Sequence, residues 1–186
     1  MIKSGIETLR SVVVDSRKHQ ELLALCEHHL KKCSEDVLGG ANEHWSLFRL
    51  GCHPSNTFKV RETAIKLTGK LISHGYLCDV APSNDGASPK GENLFGDIIQ
   101  TLCLASPLLN SSDDENANHL NIIQILLTMV STPSCNIHGQ NLLKCLQASL
   151  NIFQFSESAV KTSTARASLI QMIHGVFKRA EIIEVS

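Results

Sequence analysis

Apolar residues recur every three or four positions along most of this chain, and no other feature limits its fold as strongly. Leu22, Cys26, Leu30 and Cys33 show the pattern, because they place one apolar stripe on a helix predicted over 18–36. Strict alternation of apolar and polar residues between turns, which would indicate β-strands, is absent from the sequence. The chain is therefore predicted to be all-α.

The predicted helices end where glycine or proline interrupts the pattern. Glycine after a helix accepts a left-handed backbone, and proline lacks the N–H that a continuing helix needs. These stops are Gly39–Gly40, Gly51, Gly75, Pro107 and Pro133. The spacing predicts helices over 4–14, 18–36, 45–50, 57–73, 93–105, 117–131 and 140–155, and a last helix that begins after Ser158.

Three expectations concern where these helices pack. The helix over 117–131 is apolar around most of its circumference, so it is expected at the centre of the molecule. The sole tryptophan, Trp45, is expected in the core. In the last two helices the spacing predicts a set of inward-facing residues, namely Leu142, Leu146, Leu150, Phe153, Ala165, Leu169, Met172, Ile173, Val176 and Phe177.

Seven or eight consecutive helices with short connections imply that neighbours in the sequence pack antiparallel. Such helices can form a bundle or an armadillo-like solenoid of helix pairs, and spacing alone does not choose between them. The 186 residues fit one domain of ordinary size. The polar stretch APSNDGASPKG over 81–91 is predicted to be a surface loop within that domain.

Composition argues against several functional classes. Lys and Arg number 17 against 18 Asp and Glu, so the chain lacks the basic excess that would attract nucleic acid or an anionic membrane. Its longest apolar run, over 122–130, is much shorter than the roughly 20 residues that span a bilayer. Seven cysteines, an odd number, and an N-terminus unlike a secretory signal indicate a cytoplasmic protein in a reducing compartment.

No pattern of catalytic or metal-binding residues stands out. Phosphate-binding loops and the paired Cys or His of a structural zinc site are missing from the sequence. The nearest constellation is Cys26, His29 and Cys33, where burial explains the two thiols better than a metal does, so we expect no cofactor and no metal. A small thiol enzyme stays open as an alternative, because several histidines lie near a cysteine in the sequence. These include His28, His29, His53 and His138.

One predicted surface feature is a candidate contact site. Lys70 lies one helical turn before His74 on the helix over 57–73, and Tyr76 follows where that helix stops. Cations and aromatic rings are typical of the residues that dominate protein–protein contacts. An ordinary helix end with solvated polar groups is the other interpretation.

Several segments, taken in order, resemble a known family. They are LFRLGC at 47–52, KLISHGYLCDVAP at 70–82, LFGDIIQTLC at 94–103, LNIIQILLTMVSTPSCNIHGQNLLKCLQASLNIF at 120–153 and KTSTARASLIQMIHGVFKR at 161–179. Together they resemble the N-terminal dimerisation and cyclophilin-binding (DCB) domain of the large Golgi Arf guanine-nucleotide exchange factors. The brefeldin-A-inhibited (BIG) trans-Golgi branch is the most similar. The resemblance is clearest over 45–179, and the first forty residues match as two helices.

The resemblance implies an armadillo-like, right-handed stack of helices that forms a single regulatory domain over 1–186. It implies a cytoplasmic chain that is peripheral on trans-Golgi membranes through its partners. These partners would be a second copy or the adjacent helical domain of the parent protein, and an Arf-like small GTPase in its GTP form. Lys70, His74 and Tyr76 fall in the stretch similar to the GTPase-binding part of the family domain, where relatives often carry tyrosine at the position of His74.

The resemblance also bears on catalysis. The exchange domain of such proteins lies elsewhere in their chains, so this chain is expected to be no enzyme. The alternative is a helical-repeat scaffold of Golgi trafficking that lacks any exchange activity.

Overall fold

A computed structural model describes residues 1–14, 19–34, 41–77, 94–105, 113–156 and 158–184. Within those ranges the chain is helical, with connecting turns and no strand, which confirms the all-α prediction. The α-helices described are α1 (Ile2–Val14), α2 (Gln20–Ser34), α3 (Trp45–Gly51), α4 (Phe58–Ser73), α5 (Leu94–Ala105), α6 (Asp113–Ser131), α7 (Gly139–Phe155) and α8 (Ala159–Glu184). Short 3-10 turns at Ala41–His44 and Pro133–Cys135 precede α3 and α7. None of the described helices is both long enough and apolar enough to cross a bilayer.

The helix ends follow the signals in the sequence. α4 begins after Thr57, whose backbone is extended, and it ends just before Gly75, which has a φ of 68°. α6 ends two residues before Pro133. It begins at Asp113, four residues earlier than predicted. The predicted stops at Gly39–Gly40 and Pro107 and the predicted loop over 81–91 lie outside the described residues.

The helices stack in two rows. Along one row α1 contacts α4, α4 contacts α6, and α6 contacts α8. In the other row α2 contacts α3, and α5 contacts α7. The rows are joined through successive pairs, α1 with α2, α3 with α4, α5 with α6, and α7 with α8. This is a stack of helix pairs, in which each pair buries its apolar face against the next. The armadillo-like and right-handed character of the stack stays a prediction.

α6 lies at the centre of the stack, as predicted. It contacts four other helices, α4, α5, α7 and α8. Ile123, Leu126 and Met129 on this helix are fully buried. Trp45, at the start of α3, is also buried, which confirms its predicted place in the core.

The predicted inward face of α7 and α8 is only partly right. Ala165 and Met172 are fully buried, as expected from their spacing. Ile173, Phe177 and Leu150, however, are exposed. The reason is that α8 lies at the end of its row and packs mainly against α6 and α7, so its neighbours cover one side of its circumference. Apolar spacing therefore overestimated how much of α8 is buried.

Candidate protein-binding face

Lys70, His74 and Tyr76 lie together at the C-terminal end of α4, and all three are exposed. The Nδ1 atom of His74 lies 2.7 Å from the carbonyl oxygen of Lys70, so the imidazole donates a hydrogen bond to the last turn of the helix. The rings of His74 and Tyr76 are stacked, with centroids 6.2 Å apart and planes inclined by 23°. These three residues form one surface, which we name the α4 patch.

The turn that carries Tyr76 is held by backbone hydrogen bonds. The N–H of Gly75 donates to the carbonyl of Ile72, and the N–H of Tyr76 donates to the carbonyl of Leu71, each at 2.9 Å. Together with the left-handed backbone of Gly75, these bonds form a Schellman motif. The next residue, Leu77, is buried. The turn is thus fixed at both ends, and the tyrosine ring is presented from a defined backbone.

A groove of about 310 Å³ runs beside the α4 patch, between α4 and α6. It is lined by Lys66, Gly69, Lys70, Ser73 and His74 from α4, and by Asn121, Gln124, Ile125 and Thr128 from α6. The α6 residues of this groove are not among the site residues predicted from the sequence. Asn121, Gln124 and Thr128 are polar and lie three and four positions apart in an otherwise apolar helix, and this spacing is the signal that could have identified them.

Gly69 permits the close approach of the two helices at this groove. A Cβ atom at Gly69 would lie 2.9 Å from Cγ1 of Ile125, which is closer than side chains pack. Any larger residue would push Ile125 and α6 away from α4. The shape of the groove therefore depends on a residue without a side chain.

The two lysines of the groove differ in their pairing. Lys66 forms an ion pair with Glu62, four residues earlier on α4, at 2.6 Å. For Lys70, no carboxylate of the described residues lies within ion-pairing distance. The side chain of Lys70 is exposed, so a carboxylate of another molecule can approach its ammonium group.

The Cys26, His29 and Cys33 constellation does not converge on one point. His29 turns instead towards His44, and their Nδ1 atoms are 2.9 Å apart. The Sγ atom of Cys33 lies 3.8 Å from the other ring nitrogen of His44. Among the residues that the structure describes, no group of three or more His, Cys, Asp or Glu side chains is arranged to hold a metal ion.

Three buried cysteines have raised pKa values, whereas a nucleophilic cysteine has a lowered one. Burial raises the pKa of Cys26 to about 11 and the pKa values of Cys52 and Cys145 to about 12. A reactive cysteine needs a lowered pKa, because the thiolate is the attacking form. These three residues therefore give no support to a thiol enzyme.

The sequence matches a family model over nearly its whole length. The match covers residues 1–184, and the family is described as the Mon2/Sec7/BIG1-like dimerisation and cyclophilin-binding (DCB) domain. It includes the first forty residues, where the similarity of individual segments was weakest.

Several curated proteins are similar to this chain in sequence. Brefeldin A-inhibited guanine nucleotide-exchange protein 1 of Homo sapiens and its counterpart of Rattus norvegicus are each 30% identical over 141 residues, which is 76% of this chain and 7% of the relative. Brefeldin A-inhibited guanine nucleotide-exchange protein 3 of Arabidopsis thaliana is 34% identical over 127 residues, which is 68% of this chain and 7% of that relative. The chain thus spans about 7% of the length of these relatives. It belongs to the family of Mon2/Sec7/BIG1-like dimerisation and cyclophilin-binding domains.

Proposed function

We propose that this chain is a non-catalytic regulatory domain of a large Arf guanine-nucleotide exchange factor. Its relatives are named as exchange proteins, and the family model that matches residues 1–184 of this chain is described as a dimerisation and cyclophilin-binding domain. On this proposal the domain contributes self-association and recruitment to trans-Golgi membranes. Nucleotide exchange itself takes place in another part of the parent protein.

The recruitment step uses the α4 patch, and its partner is an Arf-like small GTPase in the GTP form. The observation that carries this step is the stacked His74 and Tyr76 pair, exposed beside the exposed side chain of Lys70. An aromatic ring on a fixed turn loses little conformational freedom when a partner binds it. Lys70 supplies a cation to a carboxylate of the GTPase, and the groove between α4 and α6 receives one of its side chains.

The test is binding of the chain to a panel of Arf-like GTPases, each loaded with a GTP analogue and separately with GDP. We expect one GTP-loaded member to bind selectively. Replacing Lys70→Ala together with Tyr76→Ala should weaken that binding by about 10- to 100-fold, the loss typical of contact residues that dominate an interface. Unchanged affinity of this double variant would remove the α4 patch from the proposal.

A matched control is available on the same helix. Lys59 is exposed in the first turn of α4 and does not line the groove. Lys59→Ala should therefore bind the GTPase as the native chain does. Circular dichroism of all variants should show native helix content, because every substituted side chain is exposed.

The second candidate function is a helical scaffold of Golgi trafficking without any link to nucleotide exchange. It is favoured by the stack of helix pairs, an architecture that presents extended binding surfaces. The same GTPase panel separates the two functions. Binding without a preference for GTP, or no binding at all, would support the scaffold.

A further inference from the structure

α8 carries a second apolar stripe that faces away from the core. Ile170, Ile173 and Phe177 are 59%, 45% and 65% exposed. They are three and four residues apart, which places them on one side of the helix, and the exposed Arg166 precedes them by one turn on that side. We name these four residues the α8 stripe. Large apolar side chains exposed together on one side of a helix are typical of interaction sites.

A groove lies directly beside the α8 stripe. It has a volume of about 730 Å³, and it is bounded by Phe153 of α7 and by Ser163, Arg166 and Ile170 of α8. The surface therefore combines a ridge of large side chains with a hollow next to it. A partner would fit this surface if its own ridge enters the groove and its own groove receives the ridge.

We propose that a second copy of this chain covers the α8 stripe, with the two α8 helices packed antiparallel about a two-fold axis. The inference rests on the proposed function, because it assigns the self-association of the domain to one face. In a two-fold interface, a residue that contacts another across the axis must also receive the reciprocal contact. The α8 stripe meets this condition, as its four positions are symmetric about the midpoint between Ile170 and Ile173.

Antiparallel packing gives every member of the stripe a suitable neighbour. Ile170 of each copy lies against Ile173 of the other, so the centre of the contact is aliphatic. Arg166 of each copy lies over the ring of Phe177 of the other, which is a favourable cation–π arrangement. The two arginines are then separated by about 16 Å along the axis, given a rise of 1.5 Å per residue, and do not repel each other strongly. Parallel packing would instead bring the two arginines together.

The first experiment measures the molar mass of the chain by sedimentation velocity, from about 1 µM to about 1 mM, a range that covers weak complexes. We expect a monomer–dimer equilibrium in the native chain. Ile173→Glu should weaken the dimer by more than 10-fold, because it buries a carboxylate in the aliphatic centre. The matched control is Leu104→Glu on α5, which replaces a side chain of 60% exposure outside the stripe and should dimerise normally.

The second experiment replaces the cation–π pair across the axis by an ion pair. Arg166→Glu removes the cation from the Phe177 ring, and Phe177→Lys places a second cation beside Arg166, so each variant should weaken the dimer by about 5-fold. The chain that carries both changes should recover to within about 3-fold of the native affinity, because each new Glu meets the new Lys of the other copy. Within one copy the two positions are about 16 Å apart, so the recovery cannot arise inside a single helix.

The possible results distinguish the inference from the proposed function. If Ile173→Glu does not weaken the dimer, or if the chain with both Arg166→Glu and Phe177→Lys does not recover affinity, the α8 stripe is not the dimer contact. Self-association of the domain would still stand. A native chain that is monomeric at every concentration overturns both the inference and self-association of this chain, and indicates that another segment or protein covers the stripe. Binding of a GTPase to the α4 patch is measured separately, so recruitment is judged on its own result.

Discussion

The imidazoles of His29 and His44 form a hydrogen bond between their Nδ1 atoms, 2.9 Å apart in the interior of the protein. One nitrogen must donate and the other accept, so this bond requires that at least one of the two rings is neutral. Burial lowers the pKa of both histidines, and the charge of His44 lowers the pKa of His29 further. Neighbouring groups act in both directions, since Lys32 opposes protonation and Glu43 favours it. The net effect keeps the pair neutral at physiological pH.

Folding stability should therefore decrease as the solution becomes more acidic. The unfolded histidines have a pKa of about 6.5, whereas the folded pKa of each lies lower, so protons bind to the unfolded chain first. The stability contributed by the neutral pair is complete above about pH 6.5 and is lost as the pH falls from there through the folded pKa. Urea unfolding, followed by the fluorescence of Trp45, should show a falling midpoint between about pH 7.5 and 5.5.

Combining His29→Gln with His44→Gln tests whether this pair causes the pH dependence of stability. The double variant should be less stable at neutral pH but should lose most of the dependence on pH in this range. His53→Gln is the control, because His53 is exposed and its replacement removes a histidine without touching the pair. If the double variant keeps the full pH dependence, the pair is not its cause.

Gly51 should not tolerate a methyl group, whereas Gly175 should benefit from one. A Cβ at Gly51 would lie 2.8 Å from the Cβ of Ala64, and both atoms are fixed to the backbone, so α3 and α4 must move apart. Gly51→Ala is therefore expected to destabilise the fold by about 1–3 kcal/mol. Gly175 has open space around it on α8, so Gly175→Ala should stabilise the fold by up to about 1 kcal/mol through helix propensity. Thermal melts of the two variants should shift in opposite directions, and a shared direction would contradict the close contact at Gly51.

Asp97 should contribute more to stability than its exposed partner does. The indole N–H of Trp45 donates to an oxygen of this carboxylate at 2.6 Å, which joins α3 to α5. Asp97→Ala would leave the buried N–H of Trp45 without an acceptor, at a cost of about 1–3 kcal/mol. Arg49 lies 3.5 Å from the same oxygen, but its side chain is largely exposed, so Arg49→Ala should cost less than about 1 kcal/mol. Urea unfolding curves of both variants test this ranking. Equal losses in the free energy of unfolding would contradict it.

Periodicity predicted the helices well because it reports local structure and the side of a helix that is apolar. It could not predict which apolar residues are covered, because coverage depends on the neighbours of a helix in the stack. Met172 and Ile173 are adjacent and both apolar, yet one is fully buried and the other is exposed, because α8 has a covered side and an open side. The exposed half of that pattern is what the two-fold packing of α8 would use.

Only those residues of the candidate site that are close together in the sequence could be predicted. Lys70, His74 and Tyr76 are close in the sequence, so the end of α4 necessarily brings them together. The opposite wall of the groove comes from α6, about fifty residues away, and no local pattern connects it to α4. His29 and His44 are a similar case, since their contact depends on how α2 returns towards α3.

Native thiols should be slow to react at neutral pH wherever they lie in the core. Cys26, Cys52 and Cys145 are fully buried, and burial raises the pKa of each, so both access and the thiolate fraction are small. Alkylation of these residues by iodoacetamide must then await opening of the structure, which makes it slower than in the unfolded chain. Mass spectrometry after timed labelling, with a sample in urea as the control, should show Cys103 modified before these three, because Cys103 is exposed. Rapid labelling of one buried thiol in the native chain would mean that its thiolate is stabilised and accessible, and it would restore the thiol-enzyme alternative. Slow labelling of all three buried thiols leaves protein binding as the function that the exposed surfaces support.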